Sequence, residues 1–254
     1  MLKEFVLTLV HYVLCLGVFL RQTVTNFPNS FGSFFKKAPL GRIRSDARNL
    51  KKLPLHVGLV IVENEYSYRD IANVIIWSVA LGISYISVYD INGEIKRNYI
   101  LLQKEIQTSK EEILASEKLK YDIEILSSNS RDKSRRDGGC SNIKQVKVNL
   151  LCEEDGKPSI IKVTKQLCRL VQASQYRIED IVPNNVDSFF QDLTKFPDPD
   201  VVIKFGPVDS LLGFLPWQIR LTGILSFPSH KQITYKTFLS TLVSYGHTEQ
   251  RHGK

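Results

Sequence analysis

The chain has 254 residues, 43% of them hydrophobic, with ten prolines and a formal net charge of +8. That is enough apolar chain for one sizeable core, a domain of about 200 residues with an appendage. Residues 1–52 hold nine Lys and Arg against Glu4 and Asp46, which leaves about +1 for the other 202. The basicity belongs to an arm, with no basic and aromatic face elsewhere, and this argues against a nucleic-acid-binding domain. Cys15, Cys140, Cys152 and Cys168 show neither CxxC spacing nor a nearby histidine cluster. They read as free thiols of a reducing compartment rather than a zinc site or a disulfide framework.

Phe5 to Leu20, FVLTLVHYVLCLGVFL, is uncharged and apolar apart from Thr8 and His11. Sixteen helical residues rise about 24 Å against a hydrocarbon core of roughly 30 Å, so residues 1–25 are expected to associate with a membrane, by spanning it or lying in one leaflet. Residues 26–52, with phenylalanines and basic residues, read as a juxtamembrane linker facing anionic lipid. Positive charge on that side places the main domain in the cytosol.

The main domain is expected over 53–250. His56 to Val62 is an apolar, β-branched run of strand length. Ser67 and Asp70 form a capping box, and helical spacing through Ile71, Val74, Ile75 and Val79 runs to a stop at Gly82. A second strand over 83–90 makes this a parallel βαβ unit. Residues 98–116 read as a polar helix burying Ile100, Leu101, Ile106, Ile113 and Leu114. Residues 127–142, almost without apolar side chains, read as a mobile loop.

Strands follow at 146–151, 200–205 and 224–227. Between them a helix over 158–173 is expected to bury Ile161, Cys168 and Val171, and a shorter one contains Phe189 and Phe190. Thr234 caps a last helix with an apolar side of Tyr235, Phe238, Leu239, Leu242, Val243 and Tyr245. The fold class is α/β, a largely parallel sheet covered by helices. Among isolated candidates, His56 reads as a strand-end histidine with a structural hydrogen bond, and Asp198 and Asp200 as turn residues. Asp90 keeps a minor functional chance because it ends a strand on the ligand-binding side of such sheets.

Three blocks and the terminus carry a resemblance. DPDVVIKFGPVDSLLGFLPWQIRLTGILSFPS (198–229), YISVYDINGEIKRN (85–98), LPLHVGLVIV (53–62) and the ending EQRHGK stand in the order found in cis-prenyltransferases. The chain is similar to that family over roughly 50–254, and within it to the branch of non-catalytic subunits. The departures support that branch. Active members end the first strand with an aspartate, followed by Gly-Asn and then an arginine; here those positions fall around Val62, Glu63, Asn64 and Glu65. The late motif Arg-Thr-small-Gly-Glu-x-Arg-x-Ser reads here Lys204 to Leu212, with Ser210 and Leu212 replacing the second arginine and the serine. Two carboxylates in place of a glycine repel a diphosphate, and a lost guanidinium removes planar recognition. A metal-binding carboxylate of active members is missing near Gly223.

The resemblance therefore implies a subunit that is inactive alone, in a heteromeric complex making long-chain polyprenyl diphosphate for dolichol synthesis and protein glycosylation at the endoplasmic reticulum membrane. It implies no metal on this chain, with Mg²⁺ held mainly by the catalytic partner. Phe214, Leu215, Trp217, Ile219 and the apolar side of the last helix, Tyr235, Phe238 and Leu242 among them, would pack on that partner; the alternative is that they complete this chain's own core. The tail 251–254 would cross to the partner's active site. There Arg251 would act in trans as the catalytic contribution, a non-titrating fork for diphosphate oxygens. Gly253 would bring a backbone N–H close to isopentenyl diphosphate, and His252 would sit at the motif's variable position. Two other readings stay open: a self-sufficient enzyme using Glu63 or Glu65, and a membrane receptor or lipid-carrier scaffold.

Overall fold

A computed structural model describes residues 38–126 and 143–248. The expected membrane segment, the loop 127–142 and the tail 251–254 lie outside the described residues. Within the described residues no helix is long and apolar enough to cross a membrane.

Six strands form one sheet in the order β3-β4-β2-β1-β5-β6. They are β1 (His56–Ile61), β2 (Tyr85–Asp90), β3 (Tyr121–Leu126), β4 (Lys144–Leu151), β5 (Val201–Phe205) and β6 (Gly223–Phe227). Every adjacent pair is parallel, with β1 central and its register set by His56 opposite Tyr85 and Val57 opposite Val201. The helices are α1 (Leu40–Asn49), α2 (Tyr68–Leu81), α3 (Glu94–Arg97), α4 (Tyr99–Leu114), α5 (Lys157–Gln172), α6 (Pro183–Thr194) and α7 (Tyr235–His247).

The central strands are buried on both faces, as parallel sheets require. One face carries Val57, Leu59, Ile61, Val88, Ile203 and Phe205 into the main core with α1, α2, α4 and α7. The other carries Val60, Tyr89 and Val202 against Phe214 and Leu215 of the segment after β5. Gly58 makes room there: a Cβ would sit 2.9 Å from the Phe214 ring.

Local chemistry sets the elements. Ser67 accepts from the Asp70 amide to cap α2, and Gly82 (φ 103°) ends it in the left-handed region. Thr234 caps α7 by accepting from Thr237. Several expectations are corrected. The basic linker contains α1, whose Ile43 is fully buried. In α4 the buried stripe is Leu102, Ile106, Ser109 and Ile113 with Leu114, and Ile100 and Leu101 are exposed. In α5 it is Ser159, Val163 and Leu167; Ile161 and Cys168 face outward. Strand β3 was not anticipated, although Tyr121, Ile123 and Ile125 alternate as an edge strand should.

The chain runs out from β1 to one side through β2, β3 and β4, then returns to fill the other side with β5 and β6. The reversal at β1 and β5 is a topological switch point, the place where open α/β sheets leave a crevice for ligands beyond their C-terminal ends. Here the two strand ends are drawn together. Val62 N donates to Phe205 O (2.7 Å), and Gly206 (φ 119°) passes so close that a Cβ would lie 2.4 Å from Val62 O. Gly206→Ala is expected to cost about 1–3 kcal/mol from backbone strain alone, read as a lower urea midpoint with unchanged slope.

Candidate active-site crevice

The acidic and basic side chains at the crevice mouth, Glu63, Glu65, Asp70, Asp90, Lys204, His230 and Lys231, are held by the chain itself. Glu63, in the loop after β1, accepts from the His230 amide (2.9 Å) and from the His230 ring at Nδ1. On the other side of that ring, Nε2 accepts from the Ser67 amide (2.8 Å). Only the tautomer with its hydrogen on Nδ1 satisfies both contacts. Burial alone would push the Glu63 carboxyl up; hydrogen bonds from the His230 ring and amide and from the Ser229 hydroxyl outweigh it and hold the carboxyl below its usual range.

The neighbouring acids follow suit. Glu65 accepts from Lys231 Nζ (2.5 Å). Asp70 accepts from Ser67 Oγ (2.7 Å) and from the Gln232 amide (2.9 Å). The β1–α2 loop is thus clamped onto residues 229–232, which follow β6. A diphosphate entering here would meet carboxylates rather than free amides.

The one cation retained from the late motif is also committed. Lys204, 4% exposed, donates to Val208 O (2.5 Å) and Gly206 O (3.4 Å). It braces the loop after β5 from within. Ser210 Oγ accepts from the Leu212 amide (3.1 Å), and the Tyr89 hydroxyl donates to Leu212 O (2.6 Å). Burial pushes that phenol up to about 12.

Asp90 accepts from the Glu94 and Ile95 amides (2.6 and 3.2 Å) and caps α3, with the Tyr66 hydroxyl at 3.4 Å. Burial, the largest influence, raises its carboxyl against the pull of those bonds. Its role here is structural. The donors at the mouth do not fit a resident Mg²⁺: Glu63, Glu65 and Asp70 face hydrogen-bond donors, and among the described residues no group of three His, Cys, Asp or Glu could hold a metal.

Of the residues assigned to a partner interface, Phe214, Tyr235, Phe238 and Leu242 lie inside this chain's own core. Trp77 takes Tyr235 edge-on at 5.8 Å and lies 6.1 Å from Phe238. Trp217 is half-buried, stacked on Phe190 at 5.0 Å, with its Nε1 donating to Asp187 (2.6 Å). Helical spacing cannot tell a face turned to a partner from one turned to the chain's own core, and here the core takes it. Arg251, His252 and Gly253 lie outside the described residues. Sequence reasoning missed His230 and Lys231. Only the sheet order, which places the loop after β1 and the segment after β6 at the same end of the parallel sheet, brings them to the acidic loop.

No family model matches the chain. The dehydrodolichyl diphosphate synthase complex subunit Nus1 of Mus musculus is 46% identical over 218 residues, 85% of this chain and 71% of that protein. The chain belongs to the family of dehydrodolichyl diphosphate synthase complex subunits NUS1. The Homo sapiens subunit is likewise 46% identical over 215 residues, 84% of this chain and 71% of its own length. More distantly, an isoprenyl transferase of Aquifex pyrophilus is 21% identical over 216 residues, 78% of this chain and 88% of that protein. A lavandulyl diphosphate synthase from Lavandula x intermedia, solved with dimethylallyl diphosphate, superposes with a TM-score of 0.57 at 17% identity, covering 80% of this chain and 99% of that one. The NUS1-family chain thus has the cis-prenyltransferase fold, and Glu63, Glu65 and Lys204 at its crevice mouth are paired within the chain itself.

His56 stands at the opposite, N-terminal end of β1. It is fully buried, with Nδ1 2.6 Å from Pro197 O and Nε2 2.9 Å from Ser87 Oγ. Burial, partly opposed by the Pro197 carbonyl, lowers it from 6.5 to about 4. Below pH 6.5 the unfolded chain takes up this proton and the folded one does not, so stability falls as pH drops from 6.5 towards 4. At about 1.36 kcal/mol per pH unit the loss reaches about 3 kcal/mol. Urea unfolding across that range is expected to show this slope in the native chain and a shallower one in His56→Asn; identical slopes would contradict the assignment.

Proposed function

We propose that this NUS1-family chain is the non-catalytic, activity-required subunit of a heteromeric cis-prenyltransferase making long-chain polyprenyl diphosphate. One observation carries the reading. At the mouth of the fold's ligand crevice Glu63 is taken by His230, Glu65 by Lys231 and Lys204 by main-chain carbonyls, while the parallel sheet around it is intact. The complex-subunit names of the relatives support the existence of a partner.

In this reading the partner supplies the catalytic carboxylate, the Mg²⁺ site and the product tunnel. Isopentenyl diphosphate lies in the partner's site with its oxygens held by Arg251, while the backbone near Gly253 approaches closely. These groups orient and neutralise; they transfer no proton. The partner packs along β6, an edge strand whose side includes Ile224, 50% exposed. Leu221, just before β6, and Val243 of α7 are also exposed. An apolar N-terminal segment keeps the assembly at the endoplasmic reticulum membrane, with this domain on the cytosolic side.

Purified alone with farnesyl diphosphate, isopentenyl diphosphate and Mg²⁺, the chain is expected to form no product, and co-expression with the catalytic subunit is expected to restore synthesis. In that complex Arg251→Ala is expected to cut turnover about 10²-fold, a loss like that of one oxyanion donor, with the pull-down unchanged. Product from the isolated chain would favour the self-sufficient enzyme. Full activity after deleting 251–254 would remove the shared-site role.

A further inference from the structure

Helices α5 and α6 leave between them a cavity of about 520 Å³ that plays no part in the crevice. Its floor is Val163 and Leu167 of α5, Phe190 of α6 and Trp217. Cys168 is the exposed thiol on its wall, and Ile178 and Ile181, 70% and 42% exposed, stand at its rim. The volume falls within the roughly 300–1,000 Å³ of small-molecule sites, which likewise combine apolar walls with few polar groups.

Polar lining is confined to Thr164, Gln172 and the thiol, and the Thr164 hydroxyl already donates to Ile160 O (2.9 Å). Water has little to bind there, and the wall lacks the dispersion contacts a packed core would supply. The site is also preformed. The Tyr176 hydroxyl (3.2 Å) and Asn185 Nδ2 (2.8 Å) both donate to Asp180 O, tying the α5–α6 turn, and Tyr176 packs edge-on to Phe189 at 5.8 Å. A bound chain would cover rim isoleucines that are otherwise in water.

We propose that this cavity binds a single uncharged hydrocarbon chain, of the kind carried by a long-chain alcohol. Charge decides against an acid. The cation beside Trp217 is Arg220, 5.6 Å from the ring, and it is already paired with Asp187 (2.7 Å). Asp198 lies within reach of both charges. A carboxylate or phosphate head would therefore find no cation in the lining, which contains no charged side chain, whereas a neutral hydroxyl head needs none.

The test uses the full-length chain and the modification rate of Cys168 by N-ethylmaleimide, followed by peptide mass spectrometry. The probes are 1-decanol, geraniol and decanoate, equal in carbon number. The two alcohols are expected to slow modification saturably, about tenfold at roughly ten times the dissociation constant, and decanoate less. Whichever alcohol saturates first names the source, linear or isoprenoid. Thr164→Phe, which fills the cavity from an exposed position, is expected to abolish the protection. Independently of that variant, a bromine-labelled alcohol is expected to quench fluorescence in the native chain and not in Trp217→Phe; the other tryptophan, Trp77, is fully buried in the main core. Absence of saturable protection, equal protection in Thr164→Phe, or quenching that survives Trp217→Phe would overturn the proposal.

Discussion

The His230 ring, held between the Glu63 carboxylate and the Ser67 amide, is the contact on which the shape of the crevice depends. A half-buried carboxylate needs donors, and each charged hydrogen bond here is worth about 1.5–3 kcal/mol. His230 supplies two of them, from its ring and its amide. In doing so it joins the first strand's loop to the segment after the last strand, 167 positions away in sequence. The carboxylate that could have faced a metal or a leaving group is thereby turned to a structural use.

The same logic recurs around the mouth. Lys204 is a cation that could have met a diphosphate, yet two main-chain carbonyls take its hydrogens. Asp90 sits where such sheets bind ligands, yet it caps α3. Each of these side chains has an intramolecular partner. A fold kept while its site is closed is consistent with selection on its surfaces. The edge strand β6 and the cavity between α5 and α6 are two such surfaces, on different elements and with different chemistry.

Much of the architecture was legible because it rests on local rules. Ser67, Asp70 and Gly82 bracket α2, and the β-branched runs of β1, β2 and β5 read as buried parallel strands. Helix phase was less secure. In α4 the apolar run Ile100-Leu101-Leu102 fits more than one stripe, and packing selects Leu102. Strand β3 escaped because a short alternating strand beside a polar loop resembles the loop's own margin.

The site was legible only in its negative aspect. The missing glycine and the extra carboxylates in Glu63-Asn64-Glu65 were visible along the chain, but their partner His230 was not, since only the sheet order brings the two together. Whether Tyr235 and Phe238 pack on a partner or complete this chain's own core stays open in the sequence for a related reason. Their spacing fixes that they share a face, while Trp77, on another helix, fixes where the face points.

Calorimetric titration of the isolated full-length chain with inorganic pyrophosphate, with and without Mg²⁺, addresses the closed crevice most directly. The expected result is no saturable heat at millimolar ligand, in the native chain and in Lys204→Ala alike. Saturable micromolar binding in the native chain that Lys204→Ala abolishes would show an open anion site and contradict the account.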